Sequence, residues 1–423
     1  MQIRRLQKGE KSACGSAPVT NLSLLLAVGI GIFGLLQFGH QVYKLNTIQE
    51  VNTAVDKQQH ESTQLLHLQQ ADATQKLPRC TEDQLRTIGN HLPADKCHMH
   101  PWMQRCSFTQ ATNCPEQTWI EQFYANESMK KGAASASNIS FVGISIGCNK
   151  GFDAIATMRM GSWNKRFDKV SWGEALQADG VDIDAAVCKQ DGNDQAQLQD
   201  DVKVRSGSEM HCVEPMPMTH AVLQQAANSL GLVDDGFRVA NYAISKTSGT
   251  ALFPTANLGN KSGEDYQRVK VGTENKGLDS CAKLSVERQK EACQEVAILS
   301  LDEYVSKHVA SQGPIHMLSI DVEGYDFDVM LGGREALKRT HYVEFEYNWM
   351  GSWRHQHLEE TIQMLDEDGF TCYWAGKDKL WRITDCWKDY YDKHNWSNVA
   401  CVSRSQVELA SRMENLFLQT LKG

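Results

Sequence analysis

The sequence predicts an α/β protein: a mostly parallel sheet with helices on both faces, preceded by a transmembrane helix and a helical stalk. Three observations predict it. Beyond residue 138, short β-rich apolar runs alternate with helical segments, the pattern of strands joined by helical crossovers. The first of those strands runs into a glycine-rich loop, Gly143 to Gly151. No Asp, Glu, Lys or Arg occurs from Ser12 to Tyr43, a window long enough for a membrane-crossing helix.

The elements follow in order. The tail, residues 1–18, carries Arg4, Arg5, Lys8 and Lys11 against Glu10, a bias that places it in the cytosol. Residues 19–39 read as an uncleaved signal-anchor, because Leu36 to His40 makes a poor cleavage site. The rest of the chain is then expected in the lumen of the Golgi or ER, as a single-pass type II membrane protein. Residues 40–79 read as a stalk helix, with Leu45, Ile48 and Val55 at helical spacing. A coiled-coil homodimer through this stalk stays open, against the polar Gln59 and Ser62.

Residues 80–137 form a lead-in with Cys80, Cys97, Cys106 and Cys114. Twelve of the 13 cysteines follow the apolar window and none forms a CxxC pair. Disulfides in an oxidising compartment are therefore favoured over zinc, with pairings that spacing does not reveal. Cys97-His98-Met99-His100 has metal-like composition, but reads as a disulfide cysteine with two surface histidines. Sequons at Asn126, Asn138, Asn260 and Asn395 are glycan acceptors if luminal and exposed.

The main domain spans residues 138–405. Its expected strands are Phe141–Ile146, Glu209–Val213, Phe237–Ile244, Ile315–Ile320 and Tyr342–Phe345. Helices are expected at Thr219–Leu230, Ala297–His308, Tyr325–Leu337 and His357–Gly369. Three further strands, Phe370–Ala375, Leu380–Ile383 and Val399–Ser403, lack helices between them and suggest an antiparallel edge. Residues 406–423 supply a closing helix. Of the 423 residues, 43 are Lys or Arg and 52 are Asp or Glu, a net charge of −9, which argues against nucleic acid as a partner. A mean hydropathy of −0.44 excludes a polytopic membrane protein.

Three stretches carry chemistry. The first is the loop Ser145-Ile146-Gly147-Cys148-Asn149-Lys150-Gly151, where glycines let a ligand approach the backbone. The second is Val213-Glu214-Pro215, an acidic strand tip able to accept hydrogen bonds from both ribose hydroxyls of a nucleoside. The third is Ser319-Ile320-Asp321-Val322-Glu323-Gly324, an apolar strand ending in two carboxylates. Ligands sit beyond the carboxyl ends of the strands in such sheets. Neighbouring carboxylates push their pKa values apart, which suits one of them to act as a base.

In this order the three stretches resemble the FkbM family of S-adenosylmethionine-dependent O-methyltransferases, whose patterns are V-D-I-G-A-N-x-G, an acidic strand tip, and K-I-D-V-E-G. The resemblance implies a Rossmann-like class I methyltransferase with a mostly parallel seven-stranded sheet, and S-adenosylmethionine as cofactor. It implies cofactor contacts from Ser145, Gly147, Asn149, Gly151, Glu214, Asn241, Ala243 and Asp321. It makes Asp321, Glu323 and Glu346 the catalytic candidates, with His357 as a further candidate base. No metal ligands are expected.

The departures are Ser145 and Ser319, where the family pattern carries Asp and Lys. A further departure is the 62 residues between Gly151 and Glu214. The insertion, about residues 157–207, contains Trp163 and Trp172, which would serve as a lid, an acceptor surface or local core. The expected acceptor is a hydroxyl group, of a glycan if the domain is luminal. Two other classes are weighed: an inactive methyltransferase-like binding module, and a membrane-anchored glycosyltransferase using Asp182-Ile183-Asp184.

Overall fold

Eight strands form one mixed sheet in the computed structural model. It describes residues 76–91, 97–100, 103–106, 120, 123–124, 140–181, 183, 198, 200, 202–255, 279–282, 284–376, 379–392, 394 and 397–422. A first antiparallel pair, β1 (Cys97–His100) and β2 (Met103–Cys106), stands apart, with Cys97 opposite Cys106 in the backbone register. The main sheet uses β3 (Val142–Ile146), β4 (Glu209–Val213), β5 (Phe237–Ala240), β9 (Met317–Ile320), β10 (Tyr342–Tyr347), β11 (Phe370–Ala375), β12 (Leu380–Arg382) and β13 (Ser397–Ser403). Its order is β12-β11-β13-β10-β9-β3-β4-β5.

The run from β5 through β4, β3 and β9 to β10 is parallel. β13 pairs antiparallel with β10, β11 with β13, and β12 with β11. The mostly parallel seven-stranded sheet implied by the resemblance is thus corrected to a mixed one. The three strands of residues 370–403 follow one another without a full helical crossover, so they can only pair antiparallel, and they do so within the same sheet.

A second correction concerns the chain after β5. The expected strand Phe237–Ile244 breaks at Asn241-Tyr242. Its second part is β6 (Ala243–Ser245), which joins β7 (Gly249–Pro254) and β8 (Cys293–Ser300) in a separate three-stranded sheet. The helix expected from Ala297 starts at Leu301, because Ser300 caps it by accepting a hydrogen bond from the Glu303 amide at 3.2 Å.

Every residue of β3 and β4 is buried, as expected for central parallel strands covered on both faces. The helix Phe152–Ser162 follows β3, and Lys169–Ala178 follows it, capped by Asp168 accepting from the Ser171 amide at 2.8 Å. Pro217–Ser229 follows β4 with proline in its first turn, where a missing amide hydrogen does no harm. Trp172 is fully buried against Phe237, and Trp163 lies under the Arg205 guanidinium. Both tryptophans are therefore core residues, while residues 184–197 of the insertion lie outside the described residues.

Four disulfides are present among the described residues: Cys80–Cys386, Cys148–Cys212, Cys281–Cys293 and Cys372–Cys401. The first ties the lead-in to the end of the domain, where Arg382 also donates to the Pro78 carbonyl at 2.8 Å.

No helix among the described residues is long and apolar enough to cross a membrane. The longest, Val407–Thr420, has 14 residues against the ~20 a span needs. It also buries only one face, through Leu409, Met413 and Phe417. The single-pass membrane protein with a luminal domain is corrected on this finding. The anchor segment 19–39, residues 40–75 of the stalk, and the Asp182 and Asp184 carboxylates lie outside the described residues.

Candidate active site

The strand order reverses direction at β3: the chain goes to β4 and β5 on one side, and β9 and β10 lie on the other. Such a switch point opens a crevice at the carboxyl ends of the strands. Gly147 and Asp321 meet there, since the Asp321 amide donates to the Ile146 carbonyl at 2.9 Å. A Cβ on Gly147 would fall 1.8 Å from the Asp321 carbonyl oxygen, and φ is +81°, so only glycine serves at this approach. Asn149 and Gly151 also take left-handed backbone, turning the loop into the helix Phe152–Ser162. The Trp172 indole N–H supports the turn from below by donating to the Lys150 carbonyl at 2.8 Å.

Glu214 binds this loop to β4. Its Oε2 accepts from the Asn149 amide at 2.9 Å and its Oε1 from the Met216 amide at 2.8 Å. The Cys148–Cys212 disulfide adds a covalent tie between the same loop and the same strand. Asn241 sits beside Glu214 and donates through Nδ2 to the Glu214 and Pro215 carbonyls at 2.9 and 3.0 Å. Ala243 starts β6 and shares a small apolar cluster with Phe253, Val296 and Met216, the residue whose amide bonds Glu214.

The opposite wall is carboxylic. Asp321 and Glu323 are partly exposed at the β9 tip. Glu323 takes a φ of +56°, a strained backbone for a residue other than glycine. Glu346 lies on β10, buried, accepting from Asn348 Nδ2 at 2.7 Å. Three further acids share the region. Asp153 accepts from Ser145 Oγ at 2.8 Å. Asp326 is fully buried, with no hydrogen-bond partner for its Oδ2 among the described residues. Glu344 accepts from Tyr342 and Ser319 hydroxyls at 2.9 and 3.2 Å.

The electrostatics follow from burial and like charge. Desolvation raises Asp153 to about 6, and desolvation with the Asp153 charge raises Asp321 to about 6. Desolvation raises Glu344 to about 8, despite its two hydroxyl donors. Asp326 and Glu346 are pushed well above the carboxylate range by burial, then by the Asp321 charge. Asp153 and Asp321 are therefore largely ionised at neutral pH, while Asp326, Glu344 and Glu346 hold their protons.

A pH effect on stability follows. An acid whose folded pKa is raised favours the fold below its unfolded pKa, and that contribution is lost as pH rises through the folded value. For Glu344 the window runs from about 4.5 to about 8. Glu344→Gln keeps an acceptor for Tyr342 and a donor for Ser319. In urea titrations it is expected to match the native protein near pH 5 and exceed it by a few kcal/mol at pH 8.5. Parallel pH curves for the two proteins would contradict a buried proton at Glu344.

Four of the expected residues, Gly147, Asn149, Glu214 and Asp321, meet directly at the β3 tip through the bonds above. Ser145 and Glu323 flank them, and Asn241 reaches them through Glu214. His357 is held elsewhere, with Nδ1 on Asp392 at 2.6 Å and the ring mostly exposed. Asp153 and Asp326 were not singled out by the sequence. Asp326, two residues beyond Gly324, had the clearest signal, being an acid in the first turn after the strand tip. Among the described residues no group of three His, Cys, Asp or Glu could hold a metal ion.

Comparison with curated proteins and with solved structures gives no match. Comparison with family models gives one that begins after the glycine loop. Residues 182–372, which carry Glu214, Asp321, Glu323 and Glu346, match the methyltransferase FkbM domain, and this match supports the FkbM methyltransferase family for the chain.

Proposed function

We propose that the protein is an S-adenosylmethionine-dependent O-methyltransferase acting on a hydroxyl of a glycan. The observation that carries the reading is the junction of glycine loop, Glu214 and Asp321 at the one point where the strand order reverses. The residues present fit the cofactor: a glycine turn free of Cβ atoms, an acid for ribose hydroxyls, and carboxylates for positive charge. When bound, S-adenosylmethionine supplies an electrophilic methyl group.

The chain's own residues divide the remaining work. Gly147 and Gly151 keep the loop backbone open to the ligand, and Glu214 accepts from ribose. Asp321 holds the cofactor side of the crevice. Glu323, in left-handed backbone at the β9 tip, takes the acceptor's hydroxyl proton. Holding both partners in one crevice supplies alignment, and proton removal supplies the base. The glycan acceptor follows the resemblance, since some members of that family methylate sugar hydroxyls.

The test is incubation of the full chain with methyl-labelled S-adenosylmethionine and a panel of glycans, glycoproteins and non-sugar alcohols. Label on glycans, lost in Glu323→Gln, is the expected result. Label confined to non-sugar alcohols overturns the acceptor class. No label on any acceptor, with the cofactor bound, moves the protein to a cofactor-binding module.

A further inference from the structure

The glycine loop departs from the resembled pattern at Ser145, where V-D-I-G-A-N-x-G carries Asp. The fold brings a carboxylate back to that place. Ser145 is buried within β3, and its hydroxyl donates to Asp153 Oδ2 at 2.8 Å. Asp153 stands in the first turn of the helix that leaves the loop, and it is only partly exposed. Its charge acts on Asp321 across the crevice. Both charges also reach Glu344 on β10.

The neighbouring elements carry further titratable groups: Lys150, buried in the glycine loop, Glu323 at the β9 tip, Asp326 in the following helix, and Glu344 and Glu346 on β10. The charges acting on Asp326, Glu344 and Glu346 are all those of other carboxylates. Asp153 and Asp321 are the two of these acids that carry charge at neutral pH, and holding both in one poorly solvated crevice is unfavourable until a cation enters.

We infer that Asp153, positioned by Ser145, binds the positively charged end of the cofactor in place of the absent loop aspartate. The inference rests on the methyltransferase reading, whose cofactor carries a sulfonium and an α-ammonium group. Ser145 is a positioning residue, since its hydroxyl touches Asp153 and fixes the direction of the carboxylate.

Calorimetric titration of the full chain tests it, with S-adenosylmethionine and S-adenosylhomocysteine at pH 5 and pH 7.5. Asp153→Asn keeps the shape and removes the charge. It is expected to weaken S-adenosylmethionine binding about tenfold to a hundredfold at pH 7.5, the range of one charge-assisted hydrogen bond. Ser145→Ala is expected to weaken it about threefold to tenfold. The native chain should bind about tenfold more weakly at pH 5, where Asp153 and Asp321 are protonated before the cation arrives. Asp153→Asn should reduce that dependence to the part due to Asp321.

An equal loss for both ligands assigns the contact to the ammonium group; a loss confined to S-adenosylmethionine assigns it to the sulfonium. Either supports the inference. Native binding that is flat from pH 5 to pH 7.5, or an Asp153→Asn protein that binds like the native one, overturns it and leaves the methyltransferase reading standing. A native chain that binds neither ligand overturns both.

Discussion

Glu214→Ala is expected to remove cofactor binding and to loosen the glycine loop at once. Two part-buried backbone amides, of Asn149 and Met216, donate to this one carboxylate. Truncation leaves both without their acceptor, at about 1–3 kcal/mol each. A fall of about 2–5 kcal/mol in urea-derived stability is the expected size. The same change deletes the acceptor for ribose hydroxyls, so affinity for S-adenosylmethionine should fall about a hundredfold or more. Glu214→Gln separates the two effects. It keeps one oxygen for an amide and places an NH2 group against the other, so stability should recover in part while affinity stays low. An alanine variant that binds within threefold of the native chain would place the ribose contact elsewhere.

The second large effect is expected at the Cys148–Cys212 disulfide. It joins the residue after Gly147 to a position two residues before Glu214, across a sequence separation of 64. Loop-closure entropy for that separation is about 4 kcal/mol, an upper figure for a bond whose removal lets the fold relax. Cys148→Ala with Cys212→Ala is preferable to serine because both sites are buried and a hydroxyl there would need a partner. The double variant should lose about 2–4 kcal/mol and bind S-adenosylmethionine markedly more weakly, because its loop is no longer tied to β4. The control is Cys281→Ala with Cys293→Ala, a bond of separation 12 beside the second sheet. It should lower stability and leave affinity unchanged. Equal affinity in both double variants would show that Glu214 alone sets the loop.

The meeting of the strand tips was legible in the sequence because it follows from strand order alone. Gly147, Glu214 and Asp321 each end an apolar run, and parallel strands bring such ends to one edge. Pairings that depend on packing were not legible. Ser145 and Asp153 are separated by a turn and a helix start, and only the left-handed geometry of Asn149 and Gly151 brings them together. Cys148 finds Cys212 only because β3 and β4 are neighbours. The strand expected over Phe237–Ile244 ran too long for a local reason, the break at Asn241-Tyr242. The late start of the helix at Leu301 carried a readable sign: Ser300 followed three residues later by Glu303 is a capping pattern. The protonation of Glu346 depends on its depth and its acidic neighbours, which spacing does not convey.

The Cys80–Cys386 bond sets an order on the making of the protein. The partners lie 306 positions apart, which at about 5–20 residues per second is roughly fifteen seconds to a minute of synthesis. For that interval Cys80 has emerged and its partner does not exist. Cys97, Cys106, Cys114 and Cys148 are made first, and each offers a nearer thiol. The native bond can close only when the last part of the sheet has been built, so an early bond to any of them must be undone before the chain matures. Yield of correctly bonded protein should therefore depend on a thiol–disulfide exchange catalyst far more than on the rate at which the chain is made.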